Sequence, residues 1–291
     1  MSKRFTSPAA FKSALEARLR KRATDQAAPF QTLQLKFVME RLVARLFHTP
    51  SPRWLLKGGF AMDLRFRPKA RTTKDVDLSV SFVPGGRSDG LRDELQAAAD
   101  TDLGDYLVFR IGELKSELTN APNGGGRFPC EAVLAGKLYA KFSIDVGVGD
   151  AATGEPERLV GDDVLDFAGI APAVAFAIPK SQQFAEKIHA YTFPWAGRLN
   201  TRTRDLVDLV LLIERGPLDA GELRAAIAAT FSARGTHPVP EALPSPPETW
   251  RIDFPRMAAE ASISTADYLL AYAILARFWV ANALGAGGSS S

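Results

Sequence analysis

Apolar residues recur along this chain with two periods, and the change from one to the other divides it. Near the start, Ser7-Pro8 opens a segment in which Phe11, Leu15 and Leu19 repeat every four residues. That spacing lines one face of a helix, with Ser as N-cap and Pro in the first turn. Residues 30–48 carry a second stripe, Leu35, Val38, Leu42, Val43 and Leu46, and end at His48, a capping or surface position. The pattern then shortens. Trp54-Leu55-Leu56 is a brief apolar run cut by Lys57-Gly58-Gly59, and residues 60–66 close a helical turn or two. Val76, Leu78 and Val80 then alternate with polar neighbours as a half-buried strand does. Helix is predicted at 88–100, strand at 106–111, a glycine-rich loop at 120–129, and strands at 129–135 and 138–148.

Helical spacing returns from about residue 180, where Phe184, Ile188 and Tyr191 share a face, followed by an apolar stretch at 203–214 and an amphipathic one at 219–233. Residues 236–247 hold five of the nineteen prolines and read as an irregular connection. Residues 268–284 are apolar at fifteen of seventeen positions. Arg277 interrupts them, and they fall short of the ~20 apolar residues of a bilayer span, so a core helix is expected there and no membrane partner. The Gly/Ser-rich end, 285–291, reads as a tail. The shift divides the chain into a strand-bearing part with N-terminal helices, 1–175, and a helical part, 176–291.

Composition narrows the class. The 291 residues are 46% apolar and 24% charged, as in soluble globular domains. A single cysteine, Cys130, and three histidines supply neither an internal disulfide nor a Cys/His zinc site, and no apolar leader follows the basic N-terminus, so the cytosol is the expected compartment. The net charge of +3 is mild but uneven. Arg65, Arg67, Lys69, Arg71 and Lys74 stand together without an acid, and Arg18, Arg20, Lys21 and Arg22 form a second cluster. Such patches attract phosphates or simply clothe a solvated surface.

The chemistry lies on two strands. Alternation puts Asp75, Asp77 and Ser79 on one face and Val76, Leu78 and Val80 on the other. Two carboxylates aimed at one spot repel unless a cation sits between them, and Mg²⁺ is held by one or two carboxylates with phosphates and water as the other ligands; exposed strands also carry such pairs by chance. In the second strand Phe142, Ile144, Val146 and Val148 face one way, and Ser143, Asp145, Gly147 and Gly149 the other. If the two strands are neighbours, three carboxylates converge, as two-metal phosphoryl or nucleotidyl transfer requires. Gly58-Gly59, ahead of a short helix, is a tight turn or a place where backbone N–H groups approach an anion.

These segments taken in order resemble one family. Lys57-Gly58-Gly59-Phe60-Ala61-Met62, Arg71-Thr72-Thr73-Lys74-Asp75-Val76-Asp77-Leu78, Ile144-Asp145-Val146 with Gly149-Asp150, Ala185-Glu186-Lys187-Ile188-His189-Ala190 and Arg204-Asp205-Leu206-Val207-Asp208-Leu209 look like the AbiEii/AbiGii nucleotidyltransferases. These are toxins of type IV toxin–antitoxin systems within the polymerase-beta-like superfamily. The resemblance implies an α/β (α+β) fold, a nucleotidyltransferase-like mixed sheet flanked by helices with a helical C-terminal domain. It also implies Mg²⁺, a nucleoside triphosphate (NTP) substrate, transfer to RNA such as the 3′ end of tRNA, and a cognate antitoxin. Carried over by position, Lys57, Gly58 and Gly59 bind the triphosphate, Asp75 and Asp77 chelate metal, and Asp145 is the third acid. Lys187 matches the helix lysine that contacts nucleotide, and Asp205 and Asp208 the closing acidic pair. Arg65, Arg67, Lys69, Arg71 and Lys74 are then the RNA-facing segment. Where the superfamily has Gly-Ser this chain has Gly59-Phe60, which removes a hydroxyl contact to phosphate.

From the residues alone, Lys187 lies at the edge of its helix's buried stripe, where it reaches a cleft, a salt bridge or solvent, and His189 projects away from that stripe. Arg202 and Arg204 are near enough in sequence to neutralise Asp205 and Asp208. Transfer to a protein or small-molecule hydroxyl, and a non-catalytic nucleic-acid or partner-binding module, are the alternative functions.

Overall fold

Ser7 caps the first helix as its sequence predicts: the hydroxyl accepts from the N–H of Ala10, and α1 runs Pro8–Asp25. The second stripe forms α2, Phe30–Leu46. The computed structural model describes residues 5–49, 53–67, 73–81, 89–118, 121–151, 153–195 and 197–285. The chain divides into two units, one of Met1–Leu64, Lys74–Gly149 and Glu157–Ala177, the other of Arg65–Thr73, Asp150–Pro156 and Ile178–Ser291.

The first unit is built on a mixed sheet. Its strands are β1 (Leu55–Lys57), β2 (Asp75–Val80), β3 (Leu107–Ile111), β4 (Ser116–Glu117), β5 (Gly125–Leu134), β6 (Lys137–Val148), β7 (Glu157–Val160) and β8 (Val174–Ala177). They lie in the order β3-β5-β6-β2-β1-β8-β7, with β4 on β5. β2 runs parallel to β6 and β1 to β8, and the remaining pairs are antiparallel. Alternation sends Leu56, Val76, Leu78, Phe128, Cys130, Ile144 and Val146 into one buried core. With them pack Phe37, Val38 and Leu42 of α2 and Leu91 and Leu95 of α4 (Asp89–Ala99). Within this core Asp105 accepts from Arg41 Nε at 2.7 Å and from Arg45 Nη1 and Nη2 at 2.9 and 2.6 Å, all three side chains buried. Burial pushes this carboxyl up, but the hydrogen bonds and charges of Arg45 and Arg41 outweigh it and hold its pKa below the ordinary value.

The segment at 120–129 differs from the predicted loop, because β5 already begins at Gly125. Gly125 takes φ +143°, and a Cβ there would overlap the carbonyl oxygen of Val146, so glycine is needed for the close pairing of β5 and β6.

The second unit holds α5 (Lys180–Thr192), α6 (Thr203–Arg215), α7 (Ala220–Arg234), α8 (Phe254–Ala261) and α9 (Tyr268–Ala281). In α6 every residue from Leu206 to Leu212 is buried, as expected of a helix enclosed by neighbours; α5, α8 and α9 pack on it. The proline-rich connection is tied down by aromatic donors. Tyr191 Oη, Tyr272 Oη and Trp279 Nε1 donate to the carbonyls of Pro244, Leu243 and Glu241 at 2.7, 2.8 and 3.2 Å.

Two expectations change in this unit. α9 buries one stripe, Ala271, Leu275 and Trp279, while Leu269, Leu270 and Val280 are 50%, 59% and 76% exposed. It is a half-covered helix, not a fully enclosed one. Among the described residues no helix is long and apolar enough to cross a membrane. His189 is buried, not projecting: its Nε2 lies 2.8 Å from Thr236 Oγ1, which lies 2.9 Å from His237 Nδ1. Phe231 of α7 and Thr236 and His237 of the proline-rich connection, which meet His189, could not be placed from helical spacing within α5.

Candidate active site

The register of the sheet builds a charged row across four strands. Lys57 on β1 lies opposite Asp77 on β2, Asp77 opposite Asp145 on β6, and Asp145 opposite Arg127 on β5. Residues directly opposite share a face, so the row reads cation, acid, acid, cation on the face away from Val76, Leu78, Ile144 and Val146. Asp75 is on this face too, opposite Ser143. The neighbouring strands and common face expected for the three acids are therefore present.

Arg127 was missed from the sequence because it falls in the stretch read as a glycine-rich loop. The signal was there in the alternation of Arg127, Pro129 and Glu131 with Phe128, Cys130 and Ala132. Its Nε and Nη2 donate to Asp145 Oδ1 and Oδ2 at 2.7 and 2.6 Å, a bidentate pair. The hydrogen bond to Asp145, then the charges of Asp145, Asp75 and Asp77, hold the guanidinium's pKa above its ordinary value. Asp145 thus has both oxygens engaged. Among the described residues no three His, Cys, Asp or Glu side chains are gathered to hold a metal ion. What fits Mg²⁺ is the pair Asp75 and Asp77, a number of carboxylates sufficient when phosphates and water complete the octahedron.

Beside this pair β1 turns directly into α3 (Gly58–Phe66). Gly58 takes φ +63°, and a Cβ on it would overlap the Asp77 carboxylate. The residue must be glycine for two independent reasons, and the carboxylate rests where a helix N-terminus favours negative charge. Phe60 is fully buried in the core, which accounts for an apolar residue at this position.

Lys187, Asp205 and Asp208 come together in the helical unit. Lys187 Nζ lies 2.6 Å from Asp208 Oδ2 and 3.2 Å from Asp205 Oδ1, with all three residues buried. Arg202, expected as a neutralising partner, reaches only to 3.8 Å of Asp205, and Arg204 is exposed. Lys187 is thus salt-bridged to both members of the acidic pair.

The basic segments separate. On α1, Arg20 pairs with Glu16, Arg22 with Asp162 and Asp163, and Arg18 stacks 3.8 Å over the Phe167 ring, so this cluster is largely answered within the protein. Of the second segment, Arg65 donates to the carbonyl of Ile178 at 2.8 Å, Arg67 is half-buried and Lys74 is exposed; Lys69 and Arg71 lie outside the described residues.

A family model described as nucleotidyl transferase AbiEii toxin, type IV TA system, matches residues 41–273, from within α2 into α9. Among solved structures, MenT4, a nucleotidyltransferase toxin from Mycobacterium tuberculosis H37Rv, gives a TM-score of 0.61 at 16% identity, covering 94% of this chain and 91% of that one. At that identity the likeness shows the fold, a mixed sheet with flanking helices and a helical C-terminal part. JHP933 from Helicobacter pylori gives 0.46 at 13% identity, over 87% of this chain and 93% of that one, too loose to carry an argument. No curated protein matches. The family match takes in the glycine turn, both acid-bearing strands and the Lys187 helix, and it makes this chain an enzyme: it belongs to the AbiEii nucleotidyltransferase toxins of type IV toxin–antitoxin systems.

Proposed function

We propose that this enzyme transfers a nucleotide from an NTP to RNA in a Mg²⁺-dependent reaction, with the 3′ end of tRNA as acceptor. The observation that carries the reading is the Asp75/Asp77 pair set against Gly58 at the β1–α3 turn. Asp75 and Asp77 would hold the metal, which when bound supplies Lewis-acid stabilisation of charge on the transferred phosphoryl group. Lys57 and the backbone of Gly58 and Gly59 bind and orient the triphosphate at the start of α3, where the helix dipole favours an anion. Asp145 completes the acid row. Arg65, Arg67 and Lys74, with Lys69 and Arg71, are the proposed contacts to the RNA backbone. Lys187, Asp205 and Asp208 fix α5 on α6 and so scaffold the helical unit. The type IV family implies an antitoxin partner.

The test is incubation of the purified protein with each labelled triphosphate, Mg²⁺ and total RNA. Label should enter RNA, require Mg²⁺, and vanish with Asp77→Asn. Undiminished transfer by Asp77→Asn would sink the assignment, and label in protein or a small molecule would replace the acceptor.

A further inference from the structure

Arg127 is the one charged member of the row for which nucleotide and metal binding give no task. Among the described residues its side chain hydrogen-bonds to Asp145 alone. A guanidinium carries five N–H donors, so the two facing Asp145 leave three, on a side chain that is 38% exposed. An arginine pinned along one edge by a nearly buried carboxylate, with three donors unused among the described residues, is built to meet an anion in a fixed orientation. The same pairing occupies Asp145, both of whose carboxylate oxygens already accept from the guanidinium.

The order of the row says which anion. Strands in a sheet are ~4.8 Å apart, so the three steps from β1 to β5 span about 14 Å, with Gly58 at one end, Asp77 between and Arg127 at the other. In-line displacement brings the entering oxygen to phosphorus from the side opposite the leaving group. With the triphosphate on the Gly58 side, pyrophosphate departs toward α3 and the acceptor hydroxyl enters over β6 and β5.

We propose that Arg127, aimed by Asp145, binds a phosphodiester of the acceptor strand next to the attacking hydroxyl, and that Asp145 acts through it as a positioning residue. This rests on the acid row being the nucleotidyl-transfer site. It makes the acceptor a nucleic acid, since a protein or uncharged small-molecule hydroxyl offers Arg127 no phosphate.

The experiment uses the full chain as wild type, Arg127→Gln, Arg127→Lys, Asp145→Asn and the Arg127→Gln/Asp145→Asn double variant. Fluorescent bulk tRNA is the binding probe, titrated across a salt series, beside steady-state kinetics varying RNA and NTP in turn. Arg127→Gln should weaken RNA binding roughly tenfold. It should flatten the slope of log affinity against log salt by about 0.7, one single-strand phosphate contact. KM for RNA should rise while KM for NTP stays put. Arg127→Lys should recover the salt slope but only part of the affinity. Asp145→Asn should act in the same direction, and the double variant should lose no more than Arg127→Gln alone.

An unchanged RNA affinity with a raised KM for NTP would place Arg127 on the triphosphate and overturn the proposal. Complete loss of turnover in Asp145→Asn beside ample turnover in Arg127→Gln would do the same, since Asp145 would then act on the reacting atoms itself. Failure of the underlying site reading shows separately, as transfer surviving in Asp77→Asn.

Discussion

Lys187 is where a catalytic and an architectural role make opposite demands on stability. Replacing it by Met keeps most of the side-chain stem and removes only the ammonium. In the structure that ammonium is 2.6 Å from Asp208, whose side chain is 1% exposed, and 3.2 Å from Asp205. Removing one member of a buried ion pair leaves an uncompensated charge and costs about 3–5 kcal/mol. At about 2–4 °C per kcal/mol for domains of 150–250 residues, Lys187→Met should melt on the order of 10 °C below wild type. Adding Asp208→Asn removes the stranded charge and should return more than 1 kcal/mol, roughly the scale of coupling between touching residues. Urea and thermal melts followed by far-ultraviolet circular dichroism at pH 7 supply the numbers. A Lys187→Met protein that melts within about 2 °C of wild type yet has lost transfer would refute the scaffold role and restore the lysine to the chemistry.

Gly58→Ala must place a methyl group on the Asp77 carboxylate at a positive φ; transfer should fall at least a hundredfold, and a variant with near-normal kcat would show the turn to be slack. Asp105→Ala strands the buried guanidiniums of Arg41 and Arg45 and should cost about 3–5 kcal/mol, read as a lower urea midpoint; an unchanged midpoint would discount the cluster. Burial, then the charges of Arg234 and His237, hold His189 down to about 3, and burial lowers His237 as well. The unfolded chain then binds more protons than the folded one below the unfolded pKa of about 6.5. Stability is full above that pH and drains as pH falls toward 3. Between pH 7 and pH 5 the His189 share is about 1–2 kcal/mol, and His189→Gln should flatten that limb of the stability curve.

What the sequence discloses depends on the range of the interaction. Asp75 and Asp77 share a face because side chains in a strand alternate, a fact internal to six residues, and the sequence reports it directly. That Asp145 lies opposite Asp77 is a matter of register between strands some seventy residues apart. Alternation supplied the faces, and only pairing supplied the partner. Arg127 was hidden because Gly124-Gly125-Gly126 falls in a stretch that reads as a glycine-rich loop, although Gly125 and Gly126 are strand residues packed tightly against β6 and Phe128. β1, β4, β7 and β8 span two to four residues each, too few for a period of two to emerge from chance. In α5 the stripe marked Lys187 as peripheral, since the stripe could not include Asp205 and Asp208, which close over the lysine from α6.

Cys130 sits in the middle of β5 with its side chain in the sheet core, and burial raises its thiol pKa further. As the sole sulfhydryl of the chain, it is inert to alkylating and disulfide-exchange reagents while the sheet is closed, and its labelling rate is a clock for opening of the first unit alone. Trp195, Trp250 and Trp279, three of the four indoles, lie in the second unit, so emission follows chiefly the helices. One sample, pulsed with a thiol reagent and watched by fluorescence, times the two halves of the enzyme separately without an engineered label in either.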